Sequence, residues 1–114
     1  MDEQVFHYTD KAGWNGIRSQ RDWVFRASTP PGEHQEGAYF TKLPPSTQRG
    51  NLAKALRTPR AKREFVFMFV GTEGLEPATY LGSRGHHVLW SSVEYRVERL
   101  RQRFDGSVDD WGAA

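Results

Sequence analysis

The most apolar run in the chain, Phe65-Val66-Phe67-Met68-Phe69-Val70, constrains everything around it. Six residues rich in rings and β-branched side chains, bounded by charge on one side and Gly71 on the other, read as a strand covered on both faces. Such a strand belongs inside a sheet, so the remaining sequence has to supply its neighbours. Short aromatic and β-branched patterns do recur: Gln4 to Thr9, residues 22 to 27 with Trp23 and Phe25 alternating against Asp22, Val24 and Arg26, Gly37 to Thr41, Val88 to Trp90, and Val93 to Val97. In the last of these Val93, Tyr95 and Val97 share one face and Glu94 and Arg96 the other. Tyr80-Leu81 reads as a brief edge strand.

Helical patterns are fewer. Asp10 offers an N-cap for a short helix with Trp14, Ile17 and Ala12 along its inner edge, weakened by Gly13 and Gly16. Asn51 to Arg57 sets Leu52 and Leu56 four apart before Thr58-Pro59 ends it. Several strands with two weak helices predict an α+β domain with a mostly antiparallel sheet. At 114 residues and 37% hydrophobic the chain is one domain, 1–114, whose core rests on four Trp and seven Phe. The tail from Arg103 onward reads as loosely held.

Several functional classes drop out. No apolar stretch of membrane-spanning length and no signal peptide is evident, so a soluble cytoplasmic protein, or one delivered to a target cell's cytoplasm, is expected. There is no cysteine, hence no disulfide or thiolate chemistry. Phosphate-loop, dinucleotide-fingerprint and G-x-S-x-G motifs are absent. His86-His87 lacks further ligands at metal spacing, so no metal site is expected. Net charge is +2, but Lys42, Arg49, Lys54, Arg57, Arg60, Lys62 and Arg63 form a block without Asp or Glu. Such a block keeps a surface solvated or attracts a phosphate-rich ligand or acceptor, with Arg49, Lys54 and Arg57 as candidate contacts.

What remains is a His, a Tyr and a Glu on three separate strand patterns: His7 in Phe6-His7-Tyr8-Thr9, Tyr39 in Gly37-Ala38-Tyr39-Phe40-Thr41, and Glu94 in Val93-Glu94-Tyr95-Arg96-Val97. In this order and spacing they resemble the three motifs of the ADP-ribosyltransferase superfamily. The likeness is to its His-Tyr-Glu branch, which includes diphtheria-like and poly-ADP-ribose-polymerase-like enzymes, and most of all to the small HYD1-signature toxins. The resemblance spans residues 6 to about 100. It implies two small, mostly antiparallel sheets packed face to face as a split sheet, with two or three short helices, and NAD as the cofactor consumed.

The resemblance also implies roles. His7, Tyr39 and Glu94 would be catalytic, and His7, Tyr8, Thr9, Gly37, Tyr39 and Phe40 would line the NAD site. Asp105, Asp109 and Asp110 stand as rivals to Glu94 for the acidic role. Chemistry independently asks for such groups. Breaking the bond between nicotinamide and ribose develops positive charge that a carboxylate stabilises. A tyrosine ring can stack on nicotinamide, and a neutral imidazole both donates to and accepts from ribose hydroxyls. The expected activity is mono-ADP-ribosyl transfer to a protein or nucleic-acid acceptor, in a toxin or effector that a neutralising partner protein would hold in check. NAD glycohydrolysis at the same site, or a non-catalytic module binding ADP-ribose or a protein, are the alternatives. Phosphate transfer from RNA onto NAD ranks below these.

Overall fold

The computed structural model of the chain describes residues 3–27, 37–46, 63–79 and 88–111. The elements among them are β1 (Gln4–Thr9), α1 (Lys11–Arg18), β2 (Trp23–Phe25), β3 (Ala38–Thr41), β4 (Phe65–Val70), β5 (Glu76–Pro77), β6 (Val88–Ser91), β7 (Tyr95–Val97) and β8 (Gln102–Ser107). Two 3-10 turns, Arg99–Arg101 and Val108–Asp110, flank β8. Six strands form one sheet in the order β5-β6-β3-β1-β4-β8, and β2 and β7 form a separate two-stranded ribbon. Every pairing is antiparallel. This is an α+β architecture.

The apolar run is β4, and it lies inside the sheet between β1 and β8. Its alternation explains its composition. Phe67 and Phe69 face the ribbon, where Trp23 and Phe25 meet Phe67 at ring-centroid distances of 4.9 and 5.6 Å. Val66, fully buried, points to the opposite face with Phe6, Thr41 and Val88. Between sheet and ribbon lies the main core: Val5, Ala38, Phe40, Phe67, Phe69 and Leu89 against Trp23, Phe25, Tyr95 and Val97. Most ring contacts there are edge-to-face, as between Phe25 and Phe40 at 5.1 Å and 83°, the arrangement that ring quadrupoles favour.

Helix α1 begins where the sequence signals it. The Asp10 carboxylate accepts from the Gly13 amide at 2.8 Å, satisfying one of the orphan donors of the first turn. Trp14 and Ile17 pack against the core, Trp14 stacking on Phe65 at 4.7 Å, whereas Ala12 is exposed and takes no part in that inner edge. Arg101 ties ribbon to sheet. Its guanidinium donates to the carbonyls of Val70 and Gly71 and to the Tyr95 hydroxyl at 2.7–2.9 Å, while the Tyr95 hydroxyl in turn donates to the Glu73 carbonyl. Gly71 adopts φ 92°, the left-handed turn that lets β4 end under that clamp.

Three expectations change. Residues 102–107 are not a loose tail: they form β8, paired with β4 from Phe65/Ser107 to Phe69/Gln102 with a register shift at Met68/Phe69. Beyond it the Trp111 ring lies edge-on to Phe6 at 5.9 Å, and its indole N–H points at the Met68 sulfur at 3.4 Å. Sheet pairing and ring packing together hold the segment. The strand expected over Val93–Val97 is shorter, beginning at Tyr95. Val93 and Glu94 belong instead to the exposed turn that carries the chain from the large sheet into the ribbon. Glu76–Pro77, expected from the sequence to lie in a turn, forms a brief edge strand. Tyr80-Leu81, the helical pattern over 51–57 and His86-His87 lie outside the described residues. No helix among the described residues is long and apolar enough to cross a membrane.

Candidate functional site

Strand β1 follows β4 in register along its whole length, from Gln4/Val70 to Thr9/Phe65. With β3 it is in register at one pair among the described residues, Phe6 with Thr41. Past that pair lies a seam between β1 and β3, and His7 bridges it. Its Nδ1 is 2.9 Å from the carbonyl oxygen of Tyr39. A carbonyl can accept and never donate, so Nδ1 carries the proton and Nε2 is left as an acceptor.

The imidazole faces the ribbon side of the sheet, with Phe25, Phe40 and Phe67 at centroid distances of 4.7, 5.5 and 6.5 Å. Burial among these rings pulls its pKa from 6.5 down to about 4, against the weaker upward effect of the bond to Tyr39. His7 is therefore neutral at pH 7, with a fixed tautomer.

Tyr39 contributes its backbone to that bond, and its ring points the other way. Ala38 and Phe40 are buried on the core side, so the intervening Tyr39 projects from the opposite face. There it stacks on Trp90, its direct partner on β6, at 5.9 Å and 19°. The structure joins His7 to Tyr39 through the Tyr39 carbonyl, while the two rings lie on opposite sides of the sheet. Tyr8 lies on the face opposite His7 as well, and its hydroxyl donates to the Leu43 carbonyl at 2.8 Å; burial pushes its pKa upward. It pins the segment following β3 to β1.

Gly37 leaves room for a neighbouring ring. A Cβ there would stand 2.5 Å from the Ser91 carbonyl and 2.8 Å from the Trp90 ring. The missing side chain makes room for Trp90, whose ring lies against the Gly37 backbone. Thr9 ends β1 with its hydroxyl pressed against the start of α1, 2.1 Å from where a Gly13 Cβ would lie. Phe40 is fully buried beside His7.

The carboxylates divide by position. Glu94 is exposed on the turn between β6 and β7, one residue before Tyr95, which pairs with the Phe25 that packs on His7. That turn, the end of β1 and the start of β3 come together at one end of the sheet. Asp105 lies on β8 directly opposite Phe67, itself opposite His7. It therefore shares the face of His7 two strands away, roughly 10 Å by strand spacing. Asp105 is held by the Trp14 indole N–H at 3.0 Å and by Arg18 at 3.7 Å, Arg18 lying over the Trp14 ring. Asp109 and Asp110 are exposed in the closing 3-10 turn.

Of the basic block, Lys42 pairs with Glu3 at 3.0 Å, and Arg49, Lys54 and Arg57 lie outside the described residues. No group of three metal-ligating side chains gathers among the described residues. A shallow depression lined by Arg21, Asp22, Glu98, Arg99 and Leu100 sits at the far end of the ribbon from Phe25 and Tyr95, remote from His7.

Sequence reasoning singled out His7, Tyr39 and Glu94 but missed Trp90 and the ring cage around His7. A glycine heading a strand pattern, with a tryptophan in a neighbouring strand, is the signal that pointed to Trp90, and it needed the β3/β6 register to be read. No protein-family model, curated protein or solved structure matches the chain.

Proposed function

We propose that the chain is an NAD-dependent mono-ADP-ribosyltransferase domain of the split-sheet kind, in which the two-stranded ribbon is the smaller sheet. The carrying observation is the imidazole of His7, held neutral and in one tautomer at the β1/β3 seam by the Tyr39 carbonyl. A ribose hydroxyl needs such an acceptor, fixed and uncharged, and Nε2 supplies it.

In the proposed reaction the bond between the ribose C1′ and the pyridinium nitrogen breaks, and its electron pair leaves with nicotinamide. Glu94, on the turn at the same end of the sheet, stabilises the positive charge that develops on the ribose. An acceptor hydroxyl or amine then bonds to C1′ and loses its proton. With water as acceptor the outcome is NAD glycohydrolysis. The basic block, beginning at Lys42 directly after β3, is assigned to an anionic acceptor, and a toxin or effector role with a neutralising partner protein belongs to the same proposal.

Asp105 is the second candidate for the carboxylate, favoured by its register with His7 across Phe67. One experiment decides between them and tests the reading as a whole: nicotinamide release from NAD, with labelled ADP-ribose followed into a lysate. Glu94→Gln is expected to lower turnover about 100- to 1,000-fold, the usual loss for one electrostatic stabiliser, with an unchanged unfolding curve. Full turnover in that variant and loss in Asp105→Asn transfers the role to Asp105. Wild-type protein that releases no nicotinamide and labels nothing sinks the enzyme reading and leaves a binding module.

A further inference from the structure

The 3-10 turn that joins the ribbon to β8 holds Leu100 out into solvent, 87% exposed. A single surface leucine needs no explanation on its own. This one is set apart by how its backbone is held and by what surrounds it. Arg101 ties the turn to Val70, Gly71 and Tyr95. The Gln102 side-chain amide donates to the carbonyls of Arg21 and Val97 at 2.9 and 3.1 Å, and Arg103 donates to the carbonyls of Leu100 and Gln102 at 2.7 and 3.0 Å. Leu100 is therefore a fixed apolar point whose own side chain takes no part in the core.

Beside it lies the shallow depression lined by Arg21, Asp22, Glu98, Arg99 and Leu100 itself. Asp22 is taken up by Arg96 at 3.6 Å. Arg21, Arg99 and Arg103 are exposed and form no ion pair among the described residues, so three guanidiniums stand against one unpaired carboxylate, that of Glu98. An apolar point on a rigid turn, next to a cationic hollow, matches a partner that is apolar and acidic at once. We propose that the turn over 98–103 is the docking site for an acidic protein segment bearing a large apolar side chain, which packs on Leu100 while a neighbouring carboxylate enters the hollow and pairs with Arg21 or Arg99. The site is remote from His7 and does not depend on the proposed NAD activity.

Two physical features favour this occupant. The backbone of the turn is ordered before any partner arrives, so docking loses little conformational entropy there, and the apolar area covered at Leu100 is gained in full. The mixture of groups also selects against other surfaces. A nucleic acid brings a row of phosphates that Glu98 repels, and its bases stack on rings, which this turn lacks. A second copy of the chain, meeting Leu100 with Leu100 across a twofold axis, sets Arg99 and Arg103 near their own counterparts. A carboxylate beside an apolar side chain meets neither objection.

The test compares three dye-labelled probes of equal charge by fluorescence anisotropy: a peptide of glutamates interspersed with leucine and phenylalanine, polyglutamate, and oligothymidylate. The full chain is expected to bind the mixed peptide about tenfold more tightly than polyglutamate, the gain from covering one leucine. Leu100→Ser should abolish that preference. Arg21→Ser with Arg99→Ser should weaken binding of the mixed peptide severalfold at low salt and less at high salt, where exposed charges are screened. Both variants replace exposed side chains, so the urea transition and any nicotinamide release should stay as in wild type, and docking and NAD cleavage are read separately. Equal affinity for the two peptides in wild type overturns the proposal, as does a preference that survives Leu100→Ser. A preference for oligothymidylate that Leu100→Ser abolishes gives the turn to nucleic acid instead, and a dimer in sedimentation that Leu100→Ser disperses gives it to a second copy; either result also overturns the proposal.

Discussion

At the scale of single residues, His7 makes the sharpest claim. Its pKa in the folded chain is about 4, against 6.5 for a free imidazole, so between these values the unfolded chain binds a proton that the folded chain refuses. Stability linked to this residue is intact above pH 6.5 and is lost as pH falls toward 4. The full gap is worth roughly 3 kcal/mol, and the partial exposure of the ring makes that an upper bound. Urea midpoints at pH 7 and 4.5 should show wild type losing more stability than His7→Phe, whose ring suits the surrounding cage and titrates at neither pH. Equal losses would mean that His7 is no more buried than a surface histidine. Over pH 6 to 8 the same neutrality predicts that any NAD cleavage carries no His7 titration, so a break near 6.5 that vanishes in His7→Asn would contradict the fixed tautomer. The strand that carries His7 was legible in the sequence. The bond from His7 to the Tyr39 carbonyl was not, because that bond depends on how β1 and β3 meet 32 residues apart.

At the scale of elements, what the sequence disclosed and what it hid follow from where each signal is generated. Helix α1 was readable because its causes are local: the Asp10 cap and the spacing of Trp14 and Ile17. Strand β4 was readable because burial on both sides forces an unbroken apolar run. Strand β8 was hidden, since Gln102-Arg103-Phe104-Asp105-Gly106-Ser107 is half-buried for most of its length and forms because β4 needs a second neighbour. Reading Val93 and Glu94 into a strand overlooked that the chain must change sheets between Ser91 and Tyr95, and the residues making that crossing cannot alternate. The β3/β6 pair offers a direct check. Gly37→Ala places a methyl group 2.5 Å from a backbone carbonyl and 2.8 Å from the Trp90 ring, and it should cost about 1–3 kcal/mol as an overpacking substitution. Chemical denaturation measures the loss, and the Trp90 emission should shift if the ring moves. An unchanged midpoint would show that the Gly37 backbone is not pressed against that ring.

At the scale of the whole molecule, the carboxy-terminal segment closes the fold. Trp111 covers Phe6 and Met68 on one face, and β8 completes β4 on the other side from β1. Removing residues 102–114 should therefore abolish cooperative unfolding rather than trim a tail, and a truncated chain that retained the wild-type urea transition would restore the loose-tail picture. The α+β class was legible from the count of strand patterns against helix patterns. The division into six strands and two was not, because it is set by which rings meet across the core. Among the described residues the same sheet has two margins, and their make-up bears on how the protein tolerates crowding by its own copies. One margin is two residues long and ends in Pro77, which has no N–H to offer. The other carries the register shift opposite Met68/Phe69 and Gly106 at φ 149°, a kinked outline with the charges of Arg103 and Asp105 along it. Neither margin is a flat template for an incoming strand, so concentrated solutions of the folded protein should remain free of fibrils, and straightening the second margin with Gly106→Val is the change most expected to end that resistance.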